Sequence, residues 1–329
     1  MAKIYFDGDA DLSILKGKVL AVIGYGNQGR AQAKAMRGMG LKVIVGNIKD
    51  ESWFRAKKDG FKVYEIREAV KRADCVLLLV PDEVAPEVYY EEVEPFLKDG
   101  ALLDFASGYN LTYHFIEPRA DLDVVMVAPR MIGAGIEELV GKGVGYPSLI
   151  GVAQDRSGSA LKYALAIAKG IGSLLPGGFA VESSFEEETL VDLFSEHGWA
   201  GALLFILKES YDLLVEAGVS PEVAILELYA SGELIEVAKA ICEKGLFRQL
   251  KLHSRTSQYG QLTWGPKYGE AVRPILREAL KGIKDGSFAT EWALELKAGL
   301  PKFKRLLELT EGFEISKSED SLYRTMGRR

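Results

Sequence analysis

The chain has 329 residues, 48% of them hydrophobic and 27% charged, which is ordinary globular usage and excludes a disordered polymer. Its 41 basic and 47 acidic side chains leave a net charge of −6 without a basic block, so the electrostatic footprint of a nucleic-acid partner is missing. Cys75 and Cys242 are too few for a disulfide framework or a cysteine metal site. No apolar run approaches the roughly 20 residues needed to span a bilayer. No signal-peptide pattern opens the chain, so the expectation is a cytoplasmic protein without a membrane partner.

The first half alternates strand and helix periods. Lys18–Ile23 is a β-branched run that stops at glycine, and a helical stretch follows from about Gln28 to Met39. Lys42–Val45, Cys75–Val80, Ala101–Phe105, Val124–Val127 and Tyr146–Val152 read as further strands, with Ala160–Gly170 as a helix. Continuous apolar strands separated by helices indicate a doubly wound parallel sheet covered on both faces, an α/β fold of Rossmann type. After Ser183 the spacing turns helical. Phe185–Ala238 reads as helix with a break at Gly218–Pro221, followed by helices at Tyr268–Asp285 and Phe288–Leu296. The expected domains are residues 1–182, binding a dinucleotide, and 183–329, all-helical.

Gly24-Tyr25-Gly26-Asn27-Gln28-Gly29 sits between the first strand and helix with the G-x-G-x-x-G spacing. The first glycine permits the turn, the second lets backbone approach a pyrophosphate, and the third allows close strand–helix packing. The expected cofactor is therefore NAD(H) or NADP(H). The second strand ends at Val45-Gly46-Asn47, without the acidic residue that reads the ribose there. In the next loop Lys49 and Ser52 could hold a 2′-phosphate, whereas Asp50 and Glu51 would repel one; a solvated loop reading neither is the third alternative. The balance leans to NADH.

Glu188, Asp192 and Glu196 recur every four residues and share a helix face. Like charges so placed disfavour a helix unless a cation sits among them, and oxygen-only ligands suit Mg²⁺; the alternative is a solvated, dipole-stabilising acidic start. Asp192 and Glu196 also interrupt the otherwise apolar Leu190–Phe194.

Together these segments resemble the short-form ketol-acid reductoisomerases. The likeness includes Ala2–Asp7, Asp9–Leu12, the glycine loop, Pro81–Val84, Val127–Pro129, Gly133, Asp192-Leu193-Phe194-x-Glu196 and Ser254-x-Thr256-x-x-Tyr259-Gly260, in that order. The resemblance implies a Mg²⁺-dependent alkyl migration and a nicotinamide-dependent reduction of 2-acetolactate-type ketol acids. It also implies a knotted helical second domain, and a homodimer or larger homo-oligomer with active sites between subunits. It places Asp82, Glu83, Val84, Ala85 and Gly133 at the cofactor, Asp192, Glu196 and Glu227 at the metal, and Ser254 at the substrate.

At the family's catalytic positions the chain carries Ser107 for histidine and Arg130 for lysine, and Ser231 stands where a fourth carboxylate is expected. Serine and arginine do not exchange protons near neutral pH as those groups do. His197 is a candidate replacement acid, with packing as its alternative; His253 could handle substrate or protons, and His114 reads as structural. The implied activity is thus a reductoisomerase-like oxidoreductase with a weakened isomerase step. A reductase of a different 2-keto acid, or a catalytically degenerate dinucleotide-binding paralogue with a regulatory or structural role, are the alternatives.

Overall fold

The computed structural model describes residues 1–328 and divides into two compact units, Met1–Val191 and a second from Asp192 onward. The first unit is built on one sheet of β1 (Ile4–Tyr5), β2 (Val19–Ile23), β3 (Lys42–Gly46), β4 (Val63–Tyr64), β5 (Cys75–Leu78), β6 (Leu102–Phe105), β7 (Asp123–Pro129), β8 (Pro147–Gln154) and β9 (Phe179–Glu182). The strand order is β1-β9-β8-β7-β6-β5-β2-β3-β4. Strands β7 through β4 along that order run parallel, while β8 is antiparallel to β7 and β1 to β9.

Side-chain alternation explains the apolar runs. Leu20 and Val22 enter a core layer shared with Ala33 and Met36 of helix α1 (Asn27–Gly38), whereas Ala21 and Ile23 enter the opposite layer with Val70 and Tyr89. Both faces are covered, so neither can be polar. Chain direction away from the centre reverses between β2 and β5, and at such a switch point the carboxyl ends of adjacent strands open a crevice for ligands. Gly24 follows β2 there, and Leu79–Asp82 follow β5.

One buried polar side chain interrupts this core. Asp104, on β6, is fully buried, and burial pushes its carboxyl well above the usual carboxylate range, offset in part by the Val127 amide. A carboxyl that ionises in the unfolded chain but stays protonated in the folded one makes stability fall as pH rises above the unfolded value near ~4, by about 1.4 kcal/mol per pH unit. The decline ends once pH passes the folded value. Urea midpoints for Asp104→Asn should therefore drift less between pH 5 and 7 than those of the native chain; parallel drifts would contradict a neutral Asp104.

The second unit holds only helices among its described residues. The division falls inside helix α2 (Phe185–Ser195), the helix that sequence periodicity placed wholly after the junction. Helix α3 (Gly201–Glu216) follows a π-helical turn at Glu196–Ala200, and a second such turn spans Leu226–Ala230. A small core of Tyr211, Ala224, Ile225, Ala230 and Ile315 joins α3 to the 221–230 segment and the last helix. Trp199, Leu204, Phe205 and Ile206 are exposed.

The expectation on apolar length needs correction. Phe185–Glu216 is one helical stretch long and apolar enough to cross a membrane by length and composition. Asp192 and Glu196 break its apolar runs, yet the mean hydropathy of the best 18-residue window stays at 1.3.

Candidate active site

Strand β2 ends in the glycine turn. Gly24 has φ +91°, a left-handed backbone, and a Cβ there would stand 2.8 Å from the Leu79 carbonyl. A Cβ on Gly29 would lie 2.0 Å from the Gly24 carbonyl, so only glycine lets the helix start this close to the strand. At Gly26 nothing lies within 4 Å of that position, which leaves the backbone open to a ligand. These are the three demands of a pyrophosphate turn, and the residues fit a dinucleotide.

The neighbouring groups brace the turn. Tyr25 is buried, donates its amide to Asn47 Oδ1 (3.0 Å) and its hydroxyl to Asp59 Oδ2 (2.9 Å), and burial raises its phenol pKa. Gln28 donates Nε2 to the Met131 carbonyl (2.9 Å), and a Cβ on Gly133 would be 2.3 Å from the Asn27 carbonyl. Gln28 and Gly133 thus lock the Arg130–Gly133 segment onto the glycine loop by hydrogen bonding and close packing.

The turn opens on a cavity of about 670 Å³ whose lining includes Gly24, Gly26, Asn47, Asp50, Ser52 and Asp82. Tyr25, Asn27, Gln28, Val84 and Ala85 also line it. Four of the expected cofactor residues are outside this lining: Gly29 and Gly133, which pack against the glycine loop, and Lys49 and Glu83. Lys49 pairs with Glu65 (2.9 Å) in an adjoining cleft, and Glu83 is exposed outside the lining. A local carboxylate within reach captures the lysine; the sequence does not show that pairing.

At the far end of the cavity Ser107 donates Oγ to Asp82 Oδ2 (3.2 Å) and accepts the Tyr109 amide (3.2 Å). Asn110 donates to both the Asp82 carbonyl and Oδ1, each at 3.1 Å. Asp82 is therefore fixed from two sides.

Arg130, at the end of β7, donates Nη2 to Glu188 Oε1 (2.6 Å), and the other oxygen of Glu188 accepts the Gly108 amide (2.7 Å). Glu188 is 1% exposed. The acidic face read from the sequence is thus divided: Glu188 belongs to an ion pair with Arg130, while Asp192 and Glu196 follow it at helical spacing. Burial and then the charge of Asp192 push the Glu196 carboxyl up. That mutual repulsion is what a divalent cation relieves, so the donor set fits Mg²⁺.

Among the described residues no three of His, Cys, Asp and Glu converge as a metal group, so Glu227 does not join that pair within one chain. Ser231 Oγ accepts the Glu233 amide (3.4 Å), and Gly232, at φ +89°, ends the turn before a new helix begins at Glu233. His197 packs edge-on against Phe288 with ring centroids 4.3 Å apart, and burial lowers its pKa. This contact is the packing alternative read for His197 from the sequence. Ser254 caps helix α4 (Arg255–Lys284) by accepting the Ser257 amide (3.2 Å), and His253 Nε2 pairs with Gln249 (2.9 Å). His114 has a left-handed φ of +56° and lies 3.8 Å from Glu117.

Comparison with known proteins gives two family matches. Residues 14–177 match the family described as acetohydroxy acid isomeroreductase, NADPH-binding domain, and 185–328 match ketol-acid reductoisomerase, C-terminal domain. The chain is 55% identical over 324 residues to putative ketol-acid reductoisomerase 3 of Saccharolobus solfataricus, covering 98% of this chain and 97% of that protein. It is 47% identical to the ketol-acid reductoisomerase (NADP(+)) of Pyrobaculum neutrophilum, covering 96% and 97%. The solved structure of an NADH-preferring ketol-acid reductoisomerase from an uncultured archaeon superposes with a TM-score of 0.92 at 35% identity, covering 98% of each chain.

Proposed function

The chain belongs to the ketol-acid reductoisomerase family, and on that premise we propose a nicotinamide-dependent oxidoreductase that reduces a branched 2-keto acid and migrates alkyl groups poorly. The observation that carries this reading is the Arg130–Glu188 pair beside a turn holding Ser107. The two polar positions that serve proton transfer elsewhere in the family hold a permanently charged guanidinium and a hydroxyl.

The backbone of Gly24–Gly29 binds the cofactor pyrophosphate, and Asp82, Ser107 and Asn110 shape the end that receives the nicotinamide. Arg130, oriented by Glu188, provides a fixed positive charge for the substrate carboxylate. Asp192 and Glu196 would hold Mg²⁺, which would supply Lewis-acid polarisation of the substrate oxygens. Glu227 would complete the metal set from a second copy of the chain, a partner that the exposed Trp199, Leu204, Phe205 and Ile206 favour. Reduction of a 2-keto acid needs one polarised carbonyl. Migration has to stabilise two adjacent oxyanions, and Ser231 removes one carboxylate from the metal set that would do so.

The reading is tested with 3-hydroxy-3-methyl-2-oxobutanoate, Mg²⁺ and reduced nicotinamide cofactor. Metal-dependent cofactor oxidation is expected, and its absence with both cofactors would overturn the reading.

A further inference from the structure

We propose that Asp50 makes the cofactor cavity selective for the dinucleotide without a 2′-phosphate, NADH over NADPH. The inference deepens the cofactor part of the proposed function and rests on it. Strand β3 ends without an acidic residue, yet the loop after it returns one to the cavity. Asn47 is the pivot: its Oδ1 accepts the buried Tyr25 amide, while its Nδ2 donates to Asp50 Oδ1 (2.8 Å) and the Ile48 carbonyl (2.9 Å). Asp50 Oδ1 also accepts the Trp53 amide at the start of helix Glu51–Lys58 (3.0 Å). The carboxylate is therefore tied by one oxygen to the same residue that braces the glycine turn. Its other oxygen takes no part in those bonds and can accept a ribose hydroxyl.

The rest of the lining agrees. Among the described residues around the cavity there is no Lys, Arg or His, and the charged side chains are Asp50 and Asp82. The two cations of the adjoining cleft are committed elsewhere. Lys49 pairs with Glu65 and Arg67 forms two bonds with Glu92, both in the adjoining cleft. A 2′-phosphate would bring nearly two negative charges to a site that offers Ser52 and a fixed carboxylate. A 2′-hydroxyl would instead donate to that carboxylate.

The test measures binding without substrate, so failure of the reductase assay leaves it untouched. Calorimetric titration of the native protein should give a Kd for NADH at least about tenfold below that for NADPH. AMP should likewise bind tighter than adenosine 2′,5′-bisphosphate, which isolates the ribose position. Asp50→Asn keeps the side-chain cap on the Trp53 amide but removes the charge, and should narrow the NADH:NADPH ratio by about tenfold. Lys49→Ala should leave NADPH affinity unchanged. NADPH binding as tightly as NADH, a ratio unmoved in Asp50→Asn, or NADPH affinity lost in Lys49→Ala would each overturn the proposal. Binding of neither dinucleotide would overturn it together with the cofactor reading.

Discussion

Replacing Glu188 by alanine is expected to reduce turnover by more than about 100-fold and to destabilise the first unit by about 2–4 kcal/mol. Two groups lose an acceptor at once: the Arg130 guanidinium at 2.6 Å and the Gly108 amide at 2.7 Å. Truncating one member of a buried pair costs about 3–5 kcal/mol because the remaining charge is stranded. Arg130 is 30% exposed, so water recovers part of that cost and the lower range applies. The amide has no such relief, since the turn at Gly108 is pressed against α2: a Cβ there would lie 2.1 Å from the Phe185 carbonyl. Glu188→Gln keeps an acceptor for the amide and loses the charge, so it should recover most of the stability and little of the turnover. Urea unfolding with steady-state rates on both variants measures this. A Glu188→Ala protein with native kcat would show that Arg130 needs no anchor.

Asp192→Asn is expected to abolish detectable Mg²⁺ binding by calorimetry and to lower metal-dependent turnover by at least about 100-fold, given that even outer-shell partners of a metal are worth 10–100-fold. The same substitution removes the neighbouring charge that raises Glu196, so the Glu196 carboxyl should titrate closer to its ordinary range. The sign for the native protein follows. A raised carboxyl holds its proton to higher pH, and the proton competes with the metal, so Mg²⁺ affinity should climb as pH rises through the acid range and then level off. Asp192→Asn with unchanged Mg²⁺ affinity would remove these carboxylates from the metal site.

The parts of the fold legible in the sequence were those with a period. Strands β2, β5, β6 and β7 are buried, so their apolar runs are continuous, and the glycine spacing marked the turn that follows β2. β1 and β4 have two residues each, too short to show alternation, and β9 has four, of which only Ala180 is buried. Helix α4 runs through Pro266 and Pro274 over 30 residues, whereas the sequence reading began it after the first proline, where helix interiors ordinarily fail. The break at Gly232 went unseen because a single glycine does not announce a left-handed turn.

At the site, the same contrast holds. Gly24, Gly26 and Gly29 act through backbone geometry that their spacing already encodes. Arg130 and Glu188 meet across 58 residues, a pairing that only the sheet and α2 together create. Asp50 was visible as a charge in a loop, but its placement depends on Asn47, and Lys49 was drawn away by Glu65. Asn110 gave no signal at all, since an asparagine in a short helix usually means a turn.

The central claim is that reduction survives in this chain while alkyl migration is impaired. It is tested most directly by comparing kcat/KM for 2-acetolactate and for 3-hydroxy-3-methyl-2-oxobutanoate, with saturating Mg²⁺ and NADH on one preparation. The account predicts that the already rearranged 2-keto acid is favoured by about 100-fold or more. Equal or greater efficiency with 2-acetolactate would contradict it.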